Sequence, residues 1–278
     1  MEVIIVHYNT WDLLENLLKL LAREPITKLF VVDNASEPKP KVWKDPCEVE
    51  WIYSNKNLGY ARGIELAWRK CQGPNILVLN PDLYWEQPIC EPLEQKMQNY
   101  SWVSPIVLTQ QSLGLTYGNF PSWFSPLFYL PGMGRLFPAM CRKYALAPNG
   151  HKKLGPVDYA CGGAMLLNKQ AVDAVGGWNQ DFFLYFEETD LAKRLSDKGY
   201  GVAVVDVEIH HLQGASQNTI GRSHHFYEGM SIYFQTNHSY IFYLWHKWFF
   251  CLGLGLAFLL KGHSLQEFKF CLKYFRYS

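Results

Sequence analysis

The order of apolar and polar positions divides the first 85 residues into an alternating series of strands and helices. Val3 to Val6 is a short continuous apolar run, which suits a strand buried on both faces of a parallel sheet. Leu13, Leu14, Leu17, Leu18 and Leu21 then recur at helical spacing on one face. Asn9 is placed to cap that helix, with Asp12 at its favourable N-terminal end. A second strand is expected over Leu29 to Val32 and a weaker third over Glu50 to Tyr53. A helix from Ala61 to Cys71, with Gly73 as its stop, leads to a fourth strand over Ile76 to Leu79. Strands that alternate with helices in this way predict an α/β fold, a mostly parallel central sheet flanked by helices.

Residues 110–156 break the pattern, with many Pro, Gly and aromatic residues and little periodicity; they read as an irregular excursion within the same domain. Regularity returns at Tyr159 to Leu167, followed by a short helix at Lys169 to Val175. A further helix is expected over Glu188 to Lys198, with Leu191 and Leu195 inward and Gly199 at its end. Val202 to His211 reads as a strand, and from Tyr227 onward the chain is helical, aromatic and increasingly apolar. The apolar run Trp248 to Leu260 falls short of the roughly 20 residues that cross a bilayer. Its flank of Trp245, His246, Lys247 and Trp248 suits a membrane interface, and Lys261, Lys269, Lys273 and Arg276 add positive charge among aromatics. The expectation is a membrane-surface anchor, with a helix packed on the domain or in a dimer as the alternative.

Composition narrows the class. Hydrophobic residues make up 49% of the 278, ample for a core, and the net charge of +1 supplies no field for nucleic acid. An aromatic content of 16% suits sugar faces and membrane interfaces alike. The 7 cysteines are scattered and form no Cys-x-x-Cys pair, so neither a cysteine zinc site nor a disulfide framework is expected. Met1 to Val6 begins directly as a strand with no basic region before it, which is not a signal peptide; a cytosolic location is expected.

Candidate chemistry gathers at strand ends. Three strands finish in polar residues, at His7-Tyr8-Asn9, Asp33-Asn34 and Asn80-Pro81-Asp82, and open parallel sheets bind ligands beyond their carboxyl ends. Asp82 is a good hard ligand for Mg²⁺ or Mn²⁺ when diphosphate oxygens complete the shell, although Asn-Pro-Asp alone equally suits a plain turn. Asn55-Lys56-Asn57-Leu58-Gly59-Tyr60-Ala61-Arg62-Gly63 leads from strand to helix with glycines that allow close backbone approach and a helix start that favours an anion. An aromatic run, Phe182 to Phe186, delivers Glu187 and Glu188 to a helix start, where a base can act and where acids are also simply stabilising. Along Val202 to His211, Val205, Val207, Ile209 and His211 share the apolar face, whereas Asp206, Glu208 and His210 share the other. Asp206-Val207-Glu208 lies within the strand and is discounted as a metal motif.

Together these residues resemble the inverting glycosyltransferase family 2. The matching pieces are Val6-His7-Tyr8-Asn9, Val32-Asp33-Asn34-Ala35-Ser36, Asn57-Leu58-Gly59-Tyr60-Ala61, Asn80-Pro81-Asp82, Gly162-Gly163-Ala164, Gly177-Trp178, Phe183 to Leu191 and His211 to Ser216. The resemblance implies a Rossmann-like nucleotide-diphospho-sugar transferase fold of the GT-A type. It implies a catalytic domain over 1–220, with a nucleotide-binding half at 1–100 and an acceptor and catalytic half at 101–220, then a helical tail at 221–278. The donor, a nucleotide diphosphate sugar, would meet Tyr8, Asn9, Asp33, Asn57, Gly59, Arg62, Asn80, Asp82 and Gly163, with Asp33 at the base or ribose. Asp82 would hold Mg²⁺ or Mn²⁺, joined by His211. The sequence departs from the family in carrying Asn80 where relatives place another Asp, and Glu187-Glu188 where relatives commonly carry Glu-Asp. Glu188 is the first choice as base and Glu187 the reserve.

Within the family the rhamnosyltransferase branch is the nearest likeness. It implies L-rhamnose from dTDP-rhamnose passed to a glycan or lipid-linked acceptor in surface polysaccharide synthesis, on the inner face of the cell membrane. A UDP-hexose or UDP-N-acetylhexosamine donor is the alternative. A nucleotidyltransferase would need a glycine-rich basic loop after the first strand, which His7-Tyr8-Asn9-Thr10 does not supply. A non-catalytic sugar-nucleotide-binding or scaffold protein would tolerate loss of Asp82 and Glu188.

Overall fold

The computed structural model describes residues 1–38, 48–109, 117–144, 153–212 and 219–261. In chain order the elements are β1 Glu2–His7, α1 Trp11–Leu21, β2 Lys28–Asp33, β3 Glu50–Tyr53, α2 Tyr60–Trp68, β4 Asn75–Leu79, β5 Leu83–Tyr84, α3 Cys90–Lys96, β6 Trp102–Thr109 and β7 Tyr117–Gly118. They continue with α4 Met133–Leu136, α5 Pro138–Tyr144, β8 Gly155–Val157, β9 Tyr159–Ala160, β10 Ala164–Asn168, α6 Lys169–Ala174, α7 Glu187–Asp197, β11 Val202–His211, α8 Thr219–Asn237 and α9 Tyr240–Lys261.

β1 is buried at every position, as its unbroken apolar run predicts, because both faces of the sheet are covered. Ile4, Val6, Phe30 and Val32 face a core shared with α2, α6 and α7, while Val3, Ile5, Leu29 and Val31 face the leucines of α1. The sheet runs β3-β2-β1-β4-β10-β6-β11-β5, with β8 also paired to β11. β3, β2, β1 and β4 are mutually parallel, and β6 is parallel to β11. β10 enters antiparallel between β4 and β6, and β5 and β8 lie antiparallel on β11. The order reverses at β1, between β2 on one side and β4 on the other, so the crevice beyond β1 and β4 is the topological switch point.

Several local expectations are revised. Asn9 does not cap α1: the cap position is Thr10, and Asn9 takes φ 56°. The Asn9 Oδ1 instead accepts the Glu37 N–H (2.7 Å), and its own N–H donates to Ser36 Oγ (2.9 Å), so it ties the end of β1 to the loop after β2. The irregular excursion contains α4, α5 and a 3-10 turn at Ser125–Tyr129, elements too short to show a helical period. α2 ends at Trp68, three residues before the expected Cys71, and α8 begins at Thr219.

The last helix packs on the domain along one side and is exposed along the other. Phe242, Tyr243 and His246 are buried, and α9 packs along the Ser125–Tyr129 turn. His246 is therefore not an interface residue: its Nδ1 pairs with Tyr129 Oη (2.8 Å) and its Nε2 with the Ser122 carbonyl (3.0 Å). The opposite side leaves Trp248 74% and Leu259 77% exposed. No helix among the described residues is long and apolar enough to cross a membrane. Lys269, Lys273, Arg276 and the Gly214-Ala215-Ser216 motif lie outside the described residues.

Candidate active site

Asp82 and His211 are brought together by strand pairing. β5 runs antiparallel to β11 with Leu83 opposite His211, and the Leu212 N–H donates to the Asp82 carbonyl (2.9 Å). This register sets His211 Nε2 3.0 Å from Asp82 Oδ1, with both side chains partly exposed. Two donors at right angles around an ion with bonds of about 2.1 Å sit roughly 3 Å apart, so the pair fits adjacent positions of an octahedral Mg²⁺ or Mn²⁺ shell. Asn80 precedes them, its N–H fixed on the Gly163 carbonyl (2.8 Å), which joins the end of β4 to the turn before β10. Asp206 and Glu208 are exposed along β11, where the strand shifts register against β6 between Val204 and Glu208.

The base candidates are delivered by strained backbone. Tyr185 and Phe186 take φ of 71° and 69°, a left-handed conformation that costs on the order of 1–2 kcal/mol per residue for bulky side chains. Phe182, Phe186, Met230, Tyr233 and Phe234 form the cluster that offsets this cost. α7 then starts at Glu187, one residue before the expected Glu188. Arg194 secures the helix by donating to the carbonyls of Val175 and Gly177 (both 2.8 Å) and to Asp190 (2.8 Å), while Asn237 donates to the other Asp190 oxygen (2.8 Å).

The two glutamates differ in access. Glu187 is 4% exposed, whereas Glu188 is half-buried and its side chain passes over Gly162, where an added Cβ would lie 3.5 Å from Glu188 Cβ and Cγ. Burial raises the Glu187 carboxyl well above its ordinary range, and the neighbouring Glu188 adds to this. Burial pushes Glu188 up to about 7, against backbone N–H groups at the helix start that lower it. Tyr60 Oη donates to the Gly162 carbonyl (3.3 Å) and is raised by burial, then by Glu187 and Glu188, with Asp82 a smaller contributor. The Cys161 thiol, pushed up to about 11 mainly by burial, also feels Glu188 and Asp82. The Glu187–Glu188 turn, Asp82 and the start of α2 thus border one place.

The loop before α2 is tied down by hydrogen bonds within the protein. Asn34 Nδ2 donates to Asn57 Oδ1 (2.9 Å) and to the Gly59 carbonyl (3.1 Å), and Asn34 Oδ1 accepts the Leu58 N–H (2.9 Å). Gly59, with φ 84°, lies so close to Phe183 that an added Cβ would be 2.3 Å from its carbonyl oxygen. That same oxygen accepts the Tyr60 N–H (2.6 Å), so the close approach read from the sequence is to Phe183, and one N–H of the α2 start is already used. Arg62 Nε donates to the Gln180 carbonyl (2.6 Å). Gly63 serves helix–sheet packing, because a Cβ there would meet Val6 at 2.6 Å.

Asp33 lies deep. Its Oδ1 accepts the Ser36 N–H (2.8 Å) and stands 3.7 Å from His7 Nε2, and burial lowers His7 to about 4 despite the Asp33 charge. Tyr8, just past the end of β1, is 39% exposed. Asn34, Tyr60 and Phe183 are the site-building residues absent from the sequence-derived site. All three sit inside the motifs quoted for the resemblance, but nothing in their spacing marks which contact which.

The chain belongs to the glycosyl transferase family 2, whose model matches residues 2–175. It is 27% identical over 234 residues to a low-salt glycan biosynthesis hexosyltransferase, Agl10, of Haloferax volcanii, covering 82% of this chain and 72% of that one. It is 24% identical over 251 residues to an N-acetylglucosaminyl-diphospho-decaprenol L-rhamnosyltransferase of Mycobacterium tuberculosis, covering 81% and 80%. Among solved structures, GalNAc-T7 with UDP, GalNAc and Mn²⁺ superposes with a TM-score of 0.62 at 12% identity, over 98% of this chain and 54% of that one. A mannosyltransferase from Pyrobaculum calidifontis in complex with GDP-Man and Mn²⁺ gives 0.57 at 12% identity, over 98% and 78%. Fold and family make the chain a glycosyltransferase of GT-A architecture.

Proposed function

We propose that the chain transfers a hexose, L-rhamnose in the first instance, from a nucleotide diphosphate donor to a hydroxyl of a glycan or lipid-linked acceptor, with inversion. The convergence of Asp82, His211 and Glu188 around Cys161 and Tyr60 carries this reading. Rhamnose rests on the mycobacterial relative, and a UDP-hexose or UDP-N-acetylhexosamine donor is the competing choice.

Glu188 takes the proton of the acceptor hydroxyl as that oxygen attacks the anomeric carbon. The new C–O bond forms as the bond to the diphosphate oxygen breaks, and the nucleotide diphosphate leaves with the electron pair. A pKa near 7 suits a base at neutral pH, ionised often enough to act and basic enough to accept. Glu187, buried beside it and itself raised by burial and by the Glu188 charge, takes no part in the proton transfer. Asp82 and His211 would hold Mg²⁺ or Mn²⁺, which when bound neutralises charge on the leaving diphosphate. Tyr8, exposed just past the end of β1, would meet the nucleoside, while Asn9, Asp33 and Asn57 act by fixing the loops that line the site. Asn80 and Gly163 set the backbone that carries Asp82.

The exposed side of α9, with Trp248, Leu252 and Leu259, is read as a peripheral contact with a membrane surface, which brings the site to a lipid-linked acceptor. The test is a donor panel of dTDP-rhamnose, UDP-sugars and GDP-sugars, scored for binding and for hydrolysis or transfer. Turnover of dTDP-rhamnose above the others supports the reading. Turnover of a UDP-sugar alone transfers it to the competing donor, and binding without turnover of any donor supports a non-catalytic protein.

A further inference from the structure

α8 carries His224, His225 and Glu228, whose ligating atoms all lie within 4.8 Å of one another. At about 100° per residue, Glu228 falls between the two histidines on the helix surface, roughly 40° from one and 60° from the other. Both Nδ1 atoms aim at the same carboxylate oxygen: Glu228 Oε2 is 3.7 Å from His224 and 3.6 Å from His225. Donors around a tetrahedral ion with bonds of about 2.1 Å stand roughly 3.4 Å apart, so small side-chain rotations bring the three to bonding distance.

The cluster is not a loose surface feature. His225 stacks on Phe183 (4.5 Å between centroids, 24° between planes), and Phe183 is the residue whose carbonyl receives the Tyr60 N–H. Phe226 meets Phe186 at 5.2 Å, and at Gly229 the helix approaches Tyr185 so closely that a Cβ would be 2.4 Å from its carbonyl oxygen. α8 is thus seated on the left-handed turn that presents Glu187 and Glu188.

We infer that His224, His225 and Glu228 form a second divalent-metal site, distinct from the one at Asp82, selective for a borderline transition ion such as Zn²⁺ or Co²⁺. Two imidazoles and one carboxylate favour such ions over Mg²⁺, whereas a carboxylate that relies on diphosphate oxygens favours Mg²⁺ or Mn²⁺. The ordinary alternative is a pair of helix ion contacts at i,i+3 and i,i+4 spacing. That alternative needs only one histidine on the carboxylate; two aimed at one oxygen, one of them held by an aromatic stack, are the arrangement of a chelate.

The experiment is a Zn²⁺ titration of the metal-stripped full chain without nucleotide, paired with Co²⁺ absorption spectra. The expected result is one high-affinity Zn²⁺ per chain, retained in Asp82→Asn, with a visible Co²⁺ band indicating imidazole ligation. His224→Gln and Glu228→Gln are each expected to weaken Zn²⁺ by about tenfold or more, since even outer-shell losses cost that much. Glu228→Gln is near-isosteric, and far-UV circular dichroism on both variants separates lost binding from lost folding. Zn²⁺ affinity equal in wild type and in both variants, or lost in Asp82→Asn instead, overturns the assignment.

Discussion

Glu187 and Glu188 are adjacent in sequence and unequal in environment, and that inequality yields two predictions. Glu188 is the partly exposed member, with a pKa near 7. Glu188→Gln is expected to cut turnover by about 10²–10⁴-fold, the usual worth of a general base, while donor affinity stays within a fewfold of wild type. In the wild type, kcat/KM is expected to rise with pH through about 7 as Glu188 loses its proton, a limb that the variant lacks. Glu187 bears on stability instead. Its folded-state pKa is raised by burial, so its favourable contribution is complete below the unfolded value of 4.5 and is lost as pH climbs through the folded value. Glu187→Gln is therefore expected to match wild type in Tm near pH 4 and exceed it at pH 8, by about 2–4 °C for each kcal/mol recovered. Equal Tm values at pH 8 would remove the burial argument. Neither difference could be read from the sequence, where the pair is two acids at a helix start.

At the scale of elements, the parallel strands, α1 and β11 were legible because burial on both faces or on one stripe writes itself into periodicity. Glu50–Tyr53 and Val202–His211 fall where the pattern places them. Tertiary pairing was not legible: the antiparallel entry of β10 into a parallel sheet depends on contacts between segments far apart in sequence. Asn34 shows the same limit at the site. Its side chain satisfies the Asn57–Gly59 loop through three hydrogen bonds spanning 23 to 25 residues, which no local motif encodes. Asn34→Ala leaves buried polar groups of that loop without partners and is expected to cost about 1–3 kcal/mol in urea unfolding. It should also raise KM for the donor more than it lowers kcat; an unchanged midpoint would show that the loop holds itself. Gly59→Ala is the harsher change, since it meets both a positive φ and the Phe183 carbonyl.

For the whole molecule, the site assembles where three separate parts of the chain meet: the ends of β1 and β4, the α7 turn, and the β5–β11 pair. The sequence showed the pieces and the family likeness supplied their order, while the 3.0 Å approach of Asp82 and His211 needed the fold. The C-terminal helix belongs to this scale too. Removing it would take away the buried Phe242, Tyr243 and His246 and uncover Phe234 and Tyr129 beneath them, so surface changes test membrane contact more cleanly than deletion. Trp248→Ser with Leu259→Ser is expected to reduce flotation with vesicles containing anionic lipid while leaving Tm unchanged; equal flotation would place the contact elsewhere.

The central claim is that Asp82 and His211 hold the ion that binds the donor diphosphate. Calorimetric titration of a nucleoside diphosphate into the wild type and Asp82→Asn, each with Mn²⁺ and with EDTA, tests it most directly. Mn²⁺ is expected to tighten binding by about tenfold or more in the wild type, equivalent to about 1.4 kcal/mol, and to have little effect in the variant. Equal affinity for the wild type in Mn²⁺ and in EDTA would contradict it.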